Sequence, residues 1–317
     1  MISASNAVTS YETRMHARRL SGRAWRFVWQ WGAVAIPLAA YVALFIIPVG
    51  FIAEFSFRGY APGGHGVNVA ADILSADNYL KVFTPTFRTV FINSVTTALI
   101  GTSLCILVGY PVSYFISTRV PERFKAACLA IVIVPFWTSY LLRMIGWQIL
   151  LGGSSHITAV LRLLGVVDAN SSLLYTKSAV LIGLLYNYLP ITILPLYVAI
   201  DRVDAVLREA SKDLGASPSR SFLDVTLPLT SGGISAAAVI VFITMTGDYV
   251  TPQLMGGAKG LMIGNLIYSQ FLEGEDWPLA AAMSMSLVAV LVVVVLLGLA
   301  LATLIFSTPR ILRRAFL

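Results

Sequence analysis

Val288-Ala289-Val290-Leu291-Val292-Val293-Val294-Val295-Leu296-Leu297 is an unbroken aliphatic run near the carboxyl end of a 317-residue chain. It has no polar face, so it suits neither a surface helix nor a half-buried strand. With its neighbours it extends from Leu279 to Phe306. That exceeds the roughly 20 residues a helix needs to cross about 30 Å of hydrocarbon.

Five more stretches of this kind lie upstream, over Gly32–Phe55, Val90–Ile116, Ala126–Leu151, Ser178–Ile200 and Gly232–Val250. The whole composition agrees with them: 57% of residues are hydrophobic and 12% charged, about half the charge of a soluble domain. A soluble enzyme, a disordered chain and a coiled coil are excluded, and two cysteines exclude a disulfide scaffold. Nothing alternates in polarity over about ten residues, as the strands of a membrane barrel would. The expectation is an all-α membrane protein with six transmembrane helices. A basic tail over residues 1–31 precedes a spanning domain over 32–306, and a short tail over 307–317 follows it.

The net charge of +7 is distributed unevenly. Fifteen of the 22 Lys and Arg fall in the first tail (Arg14 to Arg26), the second loop (Arg119 to Lys125), the fourth loop (Arg202 to Arg220) and the last tail (Arg310 to Arg314). The alternate side holds six, and Arg143 lies within the third span. Because basic residues are retained on the cytoplasmic side, both termini are expected there. The charge is therefore a topology signal rather than a nucleic-acid footprint. Trp25, Trp29 and Trp31 suit an amphipathic stretch at the membrane face, and Ala61 to Gly66 reads as a flexible outer-loop segment. Ile157 to Leu164 is an amphipathic piece that could lie along the surface.

The fourth loop, residues 201–231, is the most legible. Asp204 can cap a helix in which Val203, Leu207, Ala210 and Leu214 form one apolar face. Gly215 supplies the left-handed residue that ends it. Ser217 caps a second helix with Pro218 in its first turn, and Pro228 is expected to stop it. Two well-capped helices with an apolar stripe and no covering domain call for a partner surface.

This loop carries a resemblance. Glu209-Ala210-Ser211, three residues, Gly215, nine residues, then Val225-Thr226-Leu227-Pro228 is similar to the "EAA" loop of ABC importer permeases, with Ser211 for the second Ala and Val225 for Ile. Pro135 to Arg143, Tyr186 to Pro190 and Gly247 to Pro252 are similar to stretches of spermidine/putrescine permeases; permeases for iron, thiamine or opines share parts of them. The resemblance implies a type I importer (MetI-like) permease in a bacterial inner membrane. Its partners would be two ATPase subunits, a second permease and a periplasmic solute-binding protein. ATP and Mg would be bound by the ATPase, with no cofactor in this chain. Glu209, Ala210, Ser211, Asp213, Gly215, Leu227 and Pro228 would couple it to the ATPase. Gly256-Gly257-Ala258-Lys259-Gly260 lacks the phosphate-loop spacing.

Charges inside spans are expensive and mark cavities or pairs. Asp248 is therefore read either as a contact for a polyammonium solute or as the partner of Arg143. Tyr249, Trp137, Tyr140, Tyr186 and Tyr188 are candidates for an aromatic cage around such a cation. A self-sufficient carrier relaying protons between Asp248 and Arg143 would predict an inverted repeat, and none is visible. No histidine, cysteine or carboxylate cluster suggests a metal.

Overall fold

The computed structural model describes residues 34–61, 66–67, 74–165 and 172–315. The first tail, its tryptophans and the centre of the Ala61 to Gly66 run lie outside them. The chain forms two units, divided after Phe55.

α1 (Val34–Ser56), which makes up the described part of the first unit and ends one residue past it, is a 23-residue apolar helix exposed from Val34 to Ile52, with Ser56 buried at its end. It includes a π-helical stretch at Val42–Ile46. The second unit opens with a two-residue antiparallel ladder, β1 (Tyr60–Ala61) on β2 (Gly66–Val67), in which Tyr60 pairs with Val67. Next comes α2 (Asp77–Val82). Asn78 ties it back by donating to the carbonyls of Ser56 at 3.1 Å and Arg58 at 2.8 Å.

The spanning bundle follows. α3 (Pro85–Arg119) starts where Thr84 is extended and Pro85 sets the first helical φ. It continues through Pro111, and Ser113 Oγ reaches the carbonyls of Gly109 at 2.7 Å and Ile193 at 3.0 Å. The partner helix there is α7 (Lys177–Asp201), whose start is capped by Thr176 accepting from the Ala179 N–H at 3.1 Å. A Cβ on Gly109 would meet Thr192 at 3.3 Å; glycine lets the two backbones approach.

Four expectations are corrected between these helices and beyond. The third span is not one helix. It divides into α4 (Glu122–Ile133), a 3₁₀ turn at Val134–Trp137, and α5 (Tyr140–Leu151). Pro135 starts the tight turn, and Thr138 and Ser139 are extended, so the helical ladder is cut. A short helix, α6 (His156–Leu163), follows and is capped by Ser155. The fifth span begins earlier than expected, because Pro228 does not stop the helix. α8 (Ala205–Asp213) and α9 (Pro218–Ser221) lead through a π turn at Phe222–Thr226 into α10 (Leu227–Thr246). The wider turn, closed by the Leu227 N–H on the Phe222 carbonyl, gives the proline ring room that a regular helix would deny it. The span also ends earlier, at Gly247, so Asp248 lies in a break before α11 (Val250–Met255). α12 (Ile263–Leu272) and the long α13 (Trp277–Ala315) complete the chain, the last running helical past the expected end at Phe306.

The core sits where α3, α7 and α10 meet. Ala98, Cys105, Val180, Leu184, Val241, Phe242 and Met245 are buried there together. A second cluster joins α5, α7 and α11 through Met144, Leu151, Ala179 and Met255. Both cysteine thiols are free. The glycine run at 256–260 is a packing device: the Gly260 N–H bonds the Gly256 carbonyl at 2.9 Å, and a Cβ on Gly256 would lie 2.9 Å from Gly260 Cα.

Candidate functional site

Two places carry function-bearing side chains. The first is the loop between α7 and α10. Asp204 Oδ1 accepts from the Val206 N–H at 3.0 Å, which starts α8, a helix with no buried residue. Val206 is 63% exposed, Leu207 48% and Leu214 89%, and Glu209, Ala210 and Asp213 are exposed as well. Val203, expected on the same stripe, is buried instead; it precedes the cap and belongs to the end of α7. Gly215 has φ +86° with open space where a Cβ would be. Its N–H bonds the Lys212 carbonyl at 2.8 Å, and the Ala216 N–H bonds Ser211 at 3.1 Å. Ser217 accepts from the Arg220 N–H at 3.3 Å.

The loop is anchored from beneath. Phe222 meets the Tyr110 and Tyr114 rings edge-on at 5.8 and 5.6 Å, and Tyr110 Oη lies 2.8 Å from Thr230 Oγ1. Leu227 and Pro228 are half-buried in this support rather than displayed. Asp204→Ala is expected to cost about 1 kcal/mol of helix stability. Hydrogen exchange over residues 205–213 should accelerate several-fold, and unchanged exchange would show the cap to be idle.

The second place is Asp248, 7% exposed. Gly247 closes α10, and Asp248 Oδ1 caps α11 by accepting from the N–H groups of Val250 at 2.9 Å and Thr251 at 3.2 Å. Oδ2 receives hydroxyls from three segments: Tyr140 at 2.5 Å, Thr251 at 2.8 Å and Tyr188 at 3.4 Å. Arg143 is not the partner that holds it. Its guanidinium carbon lies 4.5 Å over the Phe136 ring and 5.8 Å from that of Tyr140, and its Nε and Nη1 are buried with no hydrogen-bond partner among the described residues.

Of the expected cage, Tyr140 and Tyr188 converge on Asp248. The others are spread elsewhere: Tyr249 stacks on Tyr268 at 4.9 Å, Tyr186 meets Trp147 at 5.4 Å, and Trp137 is 85% exposed. Sequence reasoning missed Thr251 and Asn265, whose amide donates to the Tyr249 carbonyl at 2.7 Å. The signal for Thr251 was present, since Asp248-x-x-Thr251-Pro252 following Gly247 has the form of a helix stop and restart.

Among the described residues, six helices long and apolar enough to cross a membrane, with an amphipathic exposed loop and two interrupted spans, define a multi-pass membrane transport subunit. Residues 109–311 match the family of binding-protein-dependent transport system inner membrane components, and the chain belongs to that family. It is thus an inner-membrane component of a binding-protein-dependent transport system rather than an enzyme. The chain is 41% identical over 212 residues to the spermidine/putrescine transport system permease protein PotB of Salmonella typhimurium SL1344, covering 67% of this chain and 74% of that one. Against PotB of Escherichia coli K12 it is 40% identical over 212 residues, covering 67% and 77%. Among solved structures, a bacterial alginate ABC transporter in complex with an alginate-bound periplasmic protein aligns with a TM-score of 0.64, at 16% identity over 89% of this chain and 96% of that one. That likeness shows the fold.

Proposed function

We propose that this chain is the permease subunit of an ATP-driven importer that moves a polyamine, spermidine or putrescine, into the cytoplasm by alternating access. The observation that carries the reading is the capped, wholly unburied helix Ala205–Asp213 on a chain 40–41% identical to PotB permeases. Both termini and this loop face the cytoplasm. There the stripe of Val206, Leu207, Ala210 and Leu214 docks in one of two ATPase subunits, which bind ATP and Mg. Glu209, Ser211 and Asp213 meet the polar rim of that groove, and Gly215 allows the chain to turn close to it. A second, homologous permease and a periplasmic binding protein complete the assembly.

Solute passes the faces of Trp137, Tyr186 and Tyr249, which are exposed and attract ammonium groups by their ring quadrupoles. Reconstitution with the cognate ATPase and binding protein tests this. Spermidine is expected to stimulate ATP hydrolysis severalfold, whereas stimulation by an opine, thiamine or an iron chelate in its place would reassign the solute.

A further inference from the structure

Asp248 lies within one helix interruption and bonds to the edge of another. The third span is cut at Thr138 and Ser139, and Tyr140 is the first residue after that cut. The fifth span is cut at Gly247 to Tyr249. The Tyr140 hydroxyl on Asp248 Oδ2 at 2.5 Å, with Thr251 at 2.8 Å on the same oxygen, joins the two cuts directly. The segments that follow them, α5 and α11, are packed together through Met144 and Met255.

Protons are scarcer than contacts here. Tyr140, Thr251 and Tyr188 bring one hydroxyl proton each. They serve Asp248 three times, and Tyr140 and Thr251 also touch at 2.7 Å. Tyr188 Oη lies 3.3 Å from the Thr244 carbonyl, before the cut, and 3.4 Å from Asp248, within it. Both contacts are long, as when one proton is shared between two acceptors, so a small movement across the interruption tips Tyr188 toward one or the other.

We propose that Asp248 and Tyr140 are positioning residues: their hydrogen bond latches the two helix breaks so that α5 and α11 move as one body, and Tyr188 exchanges acceptors as that body moves. The proposal rests on the transport reading above and assigns Asp248 a task other than direct solute contact. The latch is what turns two weak points in separate spans into a single hinge.

The test uses the reconstituted complex in lipid nanodiscs, with Cys105 and Cys128 replaced by Ala and spin labels at exposed Leu142 on α5 and Gln253 on α11. One narrow distance is expected. Tyr140→Phe keeps the ring and its packing but removes a hydrogen bond to a charged group, and should enlarge the minor-distance population roughly tenfold. Asp248→Ala, which also removes the α11 cap, should do at least as much, and adding Tyr140→Phe to it should broaden the distance no further, because the bond the two share is already lost. In parallel, ATP hydrolysis without solute should rise by a similar factor while KM for spermidine stays within about twofold. An unchanged distance in Tyr140→Phe, or additive broadening in the double variant, would overturn the latch. A raised KM with unchanged distances would overturn it too and make Asp248 a solute ligand. A wild-type complex that shows the expected distances but ignores spermidine supports the latch and refutes the polyamine reading.

Discussion

Gly215→Glu is expected to lower spermidine-stimulated ATP hydrolysis of the reconstituted complex by roughly tenfold or more, while the subunit itself still folds. Two effects add. At φ +86° an L residue meets its own carbonyl, at about 1–2 kcal/mol. The carboxylate would also be carried toward the groove proposed to receive Leu214, where an unpaired charge costs several kcal/mol more. The two can be separated. A Cβ at this position meets open space, so Gly215→Ala brings only the backbone strain and should leave a partly active complex. Gly215→Asn, which tolerates the left-handed region, should come closest to wild type. Equal damage from all three would mean that close backbone approach, rather than conformation and charge, is what the glycine provides.

The second large effect lies in the bundle. A Cβ built on Gly233 of α10 overlaps that of Ala199 on α7, with the Pro195 carbonyl 3.4 Å away. Gly233→Ala forces the helices apart, and overpacking of this kind costs about 1–3 kcal/mol; Gly233→Val, with two more methyls, should prevent recovery of folded protein. The compensating exchange is specific. Ala199→Gly combined with Gly233→Ala moves the methyl from one helix to the other and should restore most of the melting temperature, as measured by tryptophan fluorescence in detergent. Failure of that rescue would show that the two helices do not face each other through these residues.

Much of this architecture was legible because its signals are local. An apolar run long enough for a bilayer needs no tertiary information, and the capped loop declares itself through Asp204, Gly215, Ser217 and Pro218, whose effects act within one turn. The breaks were harder. Pro135 inside a span is compatible with a kink or with a cut, and only the extended Thr138 and Ser139 with the Tyr140 contact decide for the cut. Pro228 reads as a stop by its chemistry, yet Tyr110 and Tyr114 hold Phe222 and the π turn that lets the helix pass. The aromatic residues were the least legible. Tyr140 and Trp137 stand three apart in sequence, and one is bonded to a buried carboxylate while the other is 85% exposed. What separates them is the intervening extended pair, a feature of backbone path rather than of composition.

The π turn at Phe222–Thr226 has a bearing on how α10 is aimed. An i to i+5 closure holds one residue more than an α turn, and each residue turns a helix by about 100°. The insertion therefore sets the angular phase of everything downstream. Thr230 under the Tyr110 hydroxyl, Gly233 against Ala199 and Val241 in the core all face inward because of a surplus residue at the root of the helix. The root is also where the loop joins. With α8 docked as proposed, a push on it would reach α10 through a segment wound one residue loose, and would be delivered as a rotation of the helix as well as a shift along it.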